Sequence, residues 1–209
     1  MKIAHRINKL DASIAADIFS IADGIEFDIR DSGDRIIVHH DAFGTPVEAQ
    51  DFEDFLTFCP PEKFYIVNVK AEGIEFKVLQ LLEAHNIKNF FFLDCSIPMI
   101  VRLGKQGEKR IAVRFSEYES IETVRALKDF VSWIWIDVFT KLPSQLVELD
   151  QIGLKTCLVS PELQGQPEKL HEYAEQLQTM NIKLDAVCTK MPFIINHSWP
   201  SALFRDPSS

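Results

Sequence analysis

Eight times along this chain a short, nearly continuous apolar run ends in polar residues and gives way to an amphipathic stretch. The runs are KIAHR from Lys2, GIEFDIR from Gly24, FYIVNVK from Phe64 and NFFFLDC from Asn89, then RIAVRFS from Arg110, WIWIDVF from Trp133, TCLVSPE from Thr156 and DAVCTKM from Asp185. Between them, apolar residues such as Ile74, Val78, Leu81 and Leu82, or Val124, Leu127 and Val131, recur every three to four positions, the spacing of a helix with one buried face. Strands apolar on both faces belong to a parallel sheet covered by helices. Eight such units in 209 residues, with no linker and no second zone of composition, predict one domain over residues 1–209. Its fold class is α/β, a compact (β/α)8 TIM barrel near the lower end of the size range. Seven of the sixteen Phe fall inside the apolar runs, which places those runs in the core.

One departure from the alternation is informative. GIEFDIR is followed by DSGD and then RIIVHHD, which reads as a tight turn and a second extended segment, a short extra hairpin after strand 2. A helix-like segment from Glu48 to Phe58 begins only after it. At the other end, MPFIINHSWPSALF has two prolines and poor periodicity, so it is expected to do no more than cap the barrel base, with a frayed Pro-Ser-Ser end.

The formal net charge is −9 and the basic residues are scattered, which argues against a nucleic-acid partner but not against a small phosphorylated ligand. Cys59, Cys95, Cys157 and Cys188 lie far apart with no C-x-x-C pair, as reduced, mostly buried thiols do. The start MKIAHR carries no signal region, and no apolar stretch approaches the roughly 20 residues of a membrane span. A soluble, cytoplasmic protein is expected; the oligomeric state stays open.

Active sites of such barrels are built at the C-terminal ends of the strands. His5 and Arg6 end the first run, Glu26, Asp28 and Arg30 the second, and Asn68 and Lys70 the third. Asp94, Arg114, Asp137, Ser160, Glu162, Thr189 and Lys190 end the later ones. Because strand side chains alternate, Glu26 and Asp28 share one face and enter the mouth if Ile25 and Phe27 pack under the helices. Carboxylates held that close repel unless a proton or cation intervenes, and oxygen-only ligands suit Mg2+ or Ca2+. On spacing alone, a pair of solvated surface carboxylates reads the same. Among the histidines, His85 and His171 fall in polar helical contexts and His197 in the irregular tail, while His5, His39 and His40 stand at strand ends.

These segments resemble the glycerophosphodiester phosphodiesterase family. AHRI is similar to its His-Arg-Gly opening, with Ile7 in place of Gly, and GIEFDIRDSGDRIIVHHD to its Glu-x-Asp metal pair, turn, extended segment and His-Asp. The clear motif matches span roughly the first 70 residues. The resemblance implies His5 and His40 as the acid–base pair, with His39 secondary, and Glu26 and Asp28 as ligands of a divalent metal. Arg6 and Lys70 would bind substrate, with Arg114 and Lys190 as further candidates. The family's Glu-x-Lys reads Asn68-x-Lys70 here, so Asn68 would be the third metal ligand with one charge fewer. The Pro-Glu-Asn-Thr segment is absent, the last strand reads VCTK, and the insertion after His-Asp shrinks to a few residues around Gly44 and Pro46, which implies an open site. The expected substrate is a small phosphodiester. Two alternatives stand beside hydrolysis: a phospho-ligand-binding barrel without efficient metal chemistry, and a relative that stops at a cyclic product.

Overall fold

The computed structural model describes residues 1–42 and 49–206. In chain order its strands are β1 (Lys2–Ala4), β2 (Gly24–Ser32), β3 (Arg35–Val38), β4 (Gln50–Asp51), β5 (Phe64–Val69), β6 (Phe90–Leu93), β7 (Ala112–Phe115), β8 (Trp133–Ile136), β9 (Lys155–Val159) and β10 (Ala186–Thr189). Each of the eight apolar runs supplies one parallel strand. Pairing runs β1–β2, β2–β5, β5–β6, β7–β8, β8–β9, β9–β10 and β10–β1. Between β6 and β7 the link is a single parallel bridge from Phe92 to Ile111. The strands thus encircle one interior, and the expected (β/α)8 barrel is the fold.

Helices cover the outside: α1 (Ala12–Ile21), α2 (Phe52–Leu56), α3 (Glu75–Ala84), α4 (Ile97–Lys105), α5 (Ile121–Leu127), α6 (Leu146–Asp150), α7 (Leu170–Thr179) and α8 (Met191–Ile195). Several start where a side chain satisfies the free N–H groups of the first turn. Asp11 accepts from Ser13 and Ile14 at the start of α1, and Ser96 and Ser120 do the same for α4 and α5. The periodic residues face inward as their spacing predicts: Val78, Leu82, Val124, Leu127 and Val131 are buried, with Ile74 and Leu81 packed at the edge of the same core.

Parity within β2 decides the site. Ile25, Phe27 and Ile29 are fully buried beneath the helices, and the Phe27 ring lies 4.8 Å from that of Phe55. Glu26 and Asp28 therefore point into the barrel. Below them the interior is packed solid: the Trp133 ring is 4.9 Å from Phe91 and 5.1 Å from Phe64, while Ala112, Cys157, Ala186 and Cys188 leave room for these rings. Gly24 is needed for space, since a Cβ there would lie 2.0 Å from the Phe64 carbonyl oxygen. That contact is backbone against a neighbouring strand and has no flexible end to yield. Gly24→Ala should lower stability by about 3 kcal/mol, read from denaturant unfolding; an unchanged midpoint would show that β2 and β5 can separate at little cost.

The hairpin is present: β2 and β3 pair antiparallel from Ser32–Arg35 to Ile29–Val38, with Gly33 at φ 62° in the turn. The following helix is shorter than its pattern suggested. Phe52–Leu56 alone is helical, because Gln50 and Asp51 extend the hairpin as β4 and the Asp51 side chain caps α2. Glu48, Gly44 and Pro46 lie outside the described residues, as does the Pro-Ser-Ser end. The final segment does more than cap the base. From α8, against α1 and β1 near the mouth, it descends past the buried Trp199 to a bridge between Phe204 and Leu184, just before β10. The four cysteines are unpaired, and no helix among the described residues is long and apolar enough to cross a membrane.

Candidate active site

The mouth of the barrel holds a cavity of about 250 Å3 lined by His5, Arg6, Glu26, Asp28, His40, Asn68, Lys70 and Arg114, together with Trp135, Asp137, Phe139 and Gln164. Eight of the nine residues singled out from the sequence meet there. Lys190 does not line it: its side chain is exposed on the rim, and its backbone N–H donates to Glu162.

β1 ends at Ala4, and the chain turns at Arg6 with φ 57°, a left-handed conformation that costs a non-glycine residue roughly 1–2 kcal/mol. The turn aims the Arg6 backbone N–H at Glu26 Oε2 (2.7 Å) and lets Ile7 N–H donate to the Glu26 carbonyl (2.8 Å). The strained residue is Arg6; Ile7 stays out of the left-handed region, so a side chain is tolerated where the related motif has Gly. Glu26 and Asp28 are each 1% exposed. Burial, and then the neighbouring Asp28 charge, push the Glu26 carboxyl up to about 7.

Asn8, which the sequence reading passed over, clasps Asp28. Its Nδ2 donates to Asp28 Oδ2 (2.8 Å) and its Oδ1 accepts from the Asp28 backbone N–H (2.9 Å). The contact follows from register, which only the structure shows: Ala4 pairs with Ile25, so the turn after β1 returns beside Asp28. Across the sheet Asp28 stands opposite Asn68. Asn68 Nδ2 donates to Glu26 Oε1 (2.9 Å), while Asn68 Oδ1 is buried and without a hydrogen-bond partner among the described residues. A buried oxygen left unsatisfied is unfavourable.

Charges alternate around the rest of the rim. Arg6 Nε is 3.6 Å from Asp28 Oδ2, and Lys70 Nζ is 3.6 Å from Asp28 Oδ1 but 2.9 Å from Asp94 Oδ2. Arg114 forks onto Asp94 Oδ1 (2.7 and 2.6 Å) and reaches on to Asp137 Oδ2. Burial, the largest influence, raises the Asp137 carboxyl to about 6 despite Arg114. Arg114 is thus held by two carboxylates while it lines the cavity.

His5 Nε2 lies 3.8 Å from Glu26 Oε2. Burial first, then the cations Arg6 and Lys190, hold its pKa down to about 4, so the imidazole is neutral at physiological pH. His40 is half-exposed after β3 and lines the same cavity, its Nδ1 paired with Asp41 Oδ1 at 2.7 Å, which fixes the ring. His39 contributes its backbone N–H to the Asp28 carbonyl (2.9 Å), and its ring is outside the cavity lining.

Glu162 and Thr189 belong to a structural clasp instead. Glu162 accepts from Thr189 Oγ1 (2.6 Å), from the Lys190 backbone (3.0 Å) and from Ser160 Oγ, which in turn accepts from Trp199 Nε1 (2.9 Å). These bonds tie the ends of β9 and β10 to the final segment.

The donor set fits a hard divalent cation. Glu26 and Asp28 offer carboxylate oxygens, and the unsatisfied Oδ1 belongs to Asn68, a third residue lining the same cavity, all oxygen as Mg2+ and Ca2+ require. No group of three or more His, Cys, Asp or Glu that could hold a metal occurs among the described residues, so such an ion would rest on two carboxylates and an amide.

No protein-family model and no curated protein matches the chain. Solved structures do. A glycerophosphoryl diester phosphodiesterase from Parabacteroides distasonis aligns over 99% of this chain and 88% of its own, at TM-score 0.69 and 11% identity. The glycerophosphodiester phosphodiesterase of Thermotoga maritima aligns over 90% and 93%, at 0.61 and 17%. A phosphodiesterase of Oleispira antarctica, solved with its product sn-glycerol-3-phosphate, aligns over 95% and 96%, at 0.62 and 16%. At these identities the likeness establishes the fold: the barrel is that of the glycerophosphodiester phosphodiesterases along nearly its full length.

Proposed function

We propose that the chain is a phosphodiesterase that cleaves a small glycerophosphodiester-like substrate, with a divalent cation, Mg2+ or Ca2+, and with His5 and His40 as the acid–base pair. The observation that carries this reading is convergence: two buried carboxylates and an amide whose oxygen is unsatisfied share one cavity with two histidines and the cations Arg6, Lys70 and Arg114. The fold of the solved glycerophosphodiester phosphodiesterases supports it.

Glu26, Asp28 and Asn68 would hold the cation, which would supply a Lewis acid to offset the negative charge of the phosphate. Arg6 and Lys70 donate charge-assisted hydrogen bonds to the remaining phosphate oxygens. Neutral His5 can take a proton from the attacking hydroxyl, whether of water or of a neighbouring substrate group. His40, steadied by Asp41, then protonates the leaving alkoxide. The resemblance to the family favours attack by a vicinal hydroxyl and a cyclic phosphate; phosphorus NMR of the products separates a reaction that stops there from complete hydrolysis.

A second reading has one specific observation in its favour. The Asn68 amide donates to Glu26, so the two side chains support each other without a cation, as suits a barrel that binds a phospho-ligand and turns nothing over. A panel of glycerophosphodiesters assayed with Mg2+, with Ca2+ and with chelator decides between them. Turnover that chelator abolishes is the expected result; ligand binding with no turnover under any metal would establish the binding barrel.

A further inference from the structure

We infer that Asp94 is a positioning residue, whose task is to keep the Lys70 ammonium off Asp28. The inference rests on the metal-site reading above and assigns Asp94 a role in it. Lys70 stands between two carboxylates, and the distances are unequal. Nζ makes a 2.9 Å contact with Asp94 Oδ2 and stays 3.6 Å from Asp28 Oδ1, beyond hydrogen-bond reach. Both are carboxylates on strand ends flanking Lys70, and the asymmetry follows from how each is held: Asp28 is clasped by Asn8, and Asp94 is turned toward Lys70. The Asp94 backbone is left-handed (φ 65°) at the end of β6, which turns the carboxylate toward the neighbouring strands. Its other oxygen is gripped by the Arg114 fork, and Arg114 is itself anchored on buried Asp137. Three linked groups from β6, β7 and β8 thereby fix one end of Lys70.

The consequence concerns competition. A free ammonium would close on Asp28 Oδ1 and occupy an oxygen that a divalent cation needs, since a charge at contact distance contributes strongly in a partly buried site. Asp94 draws Lys70 away from Asp28 and leaves the Asp28 oxygen available. It explains why Arg114 is spent on carboxylates: it braces Asp94 and needs no substrate contact.

Asp94→Asn is the discriminating variant, because Asn also tolerates the left-handed region and preserves shape. In titration calorimetry with Mg2+ or Ca2+, Asp94→Asn should lose on the order of tenfold or more in affinity, and Asp94→Asn with Lys70→Met should regain it. Lys70→Met alone should change affinity little, because Lys70 is already held away. Equal affinity of Asp94→Asn and wild type, or failure of Lys70→Met to rescue, overturns the inference. A crystal structure of Asp94→Asn gives a readout independent of metal: Lys70 Nζ should move into hydrogen-bond contact with Asp28. If the wild type binds no divalent ion, the metal reading falls, and this structure alone judges Asp94; a Lys70 that keeps its place refutes the role.

Discussion

Alanine at His40 should lower phosphodiester turnover by about two to four orders of magnitude, the usual worth of a positioned acid or base, while leaving the thermal midpoint nearly unchanged. The two halves of this expectation have separate origins. His40 is half-exposed, and its side chain pairs with the exposed Asp41, so truncation empties no part of the core. Its ring nevertheless lines the cavity that holds Glu26, Asp28 and Lys70. His39 is the control. It is adjacent in sequence and has the same chemistry, but it reaches the site only through a backbone N–H that alanine retains. His39→Ala should therefore keep most of the activity. Steady-state kinetics on both variants, with circular dichroism to confirm folding, provides the check. Near wild-type turnover in His40→Ala would remove the acid–base assignment, and equal losses in both would point to disruption of the hairpin.

How far the site could be read in advance follows from what kind of information each residue depends on. Glu26 and Asp28 depend on parity within one strand, and the alternation in GIEFDIR shows that directly. The convergence of His5, Asn68 and Lys70 on them follows from a parallel barrel, in which every strand ends at the same mouth. Asn8 depends on how a turn folds back after β1, and nothing in HRIN by itself signals that its amide reaches Asp28. Arg114 shows what a single strand cannot reveal. A lone arginine at a strand end suits an anion, and only the register of β6, β7 and β8 reveals that two carboxylates already take it. Glu162 repeats the lesson: a strand-end polar residue serves the fold when a neighbouring strand end offers it partners, as Thr189 and Ser160 do. Local pattern thus located the strands and their faces, while the sharing of partners among charged groups is set by distances between strands.

The second large effect is expected at Asn68, where adding a carboxylate should act in opposite directions with and without metal. In the metal-free protein, Asn68→Glu removes the N–H that now donates to Glu26 Oε1 and puts a negative group in its place. Glu26 is already disfavoured as an anion, its pKa raised to about 7 by burial and by Asp28. A third carboxylate in this buried cluster should cost about 1–3 kcal/mol, the scale for breaking a buried polar contact, seen as a lower thermal midpoint in chelator. With Mg2+ or Ca2+ the sign reverses. A charged ligand replaces a neutral one, and affinity should rise by on the order of tenfold or more. Binding to the folded state alone then stabilises it by about 2.7 kcal/mol when the ion is at 100 times its dissociation constant. The variant should consequently melt below wild type in chelator and gain more than wild type from added ion. Calorimetric titration and thermal melts with and without Ca2+ measure both arms. If neither protein binds an ion, Glu26, Asp28 and Asn68 do not form a metal site, and their contacts serve the barrel mouth as a hydrogen-bonded cluster. If both bind with equal affinity, the Asn68 oxygen lies outside the coordination shell, and Glu26 and Asp28 hold the cation without it.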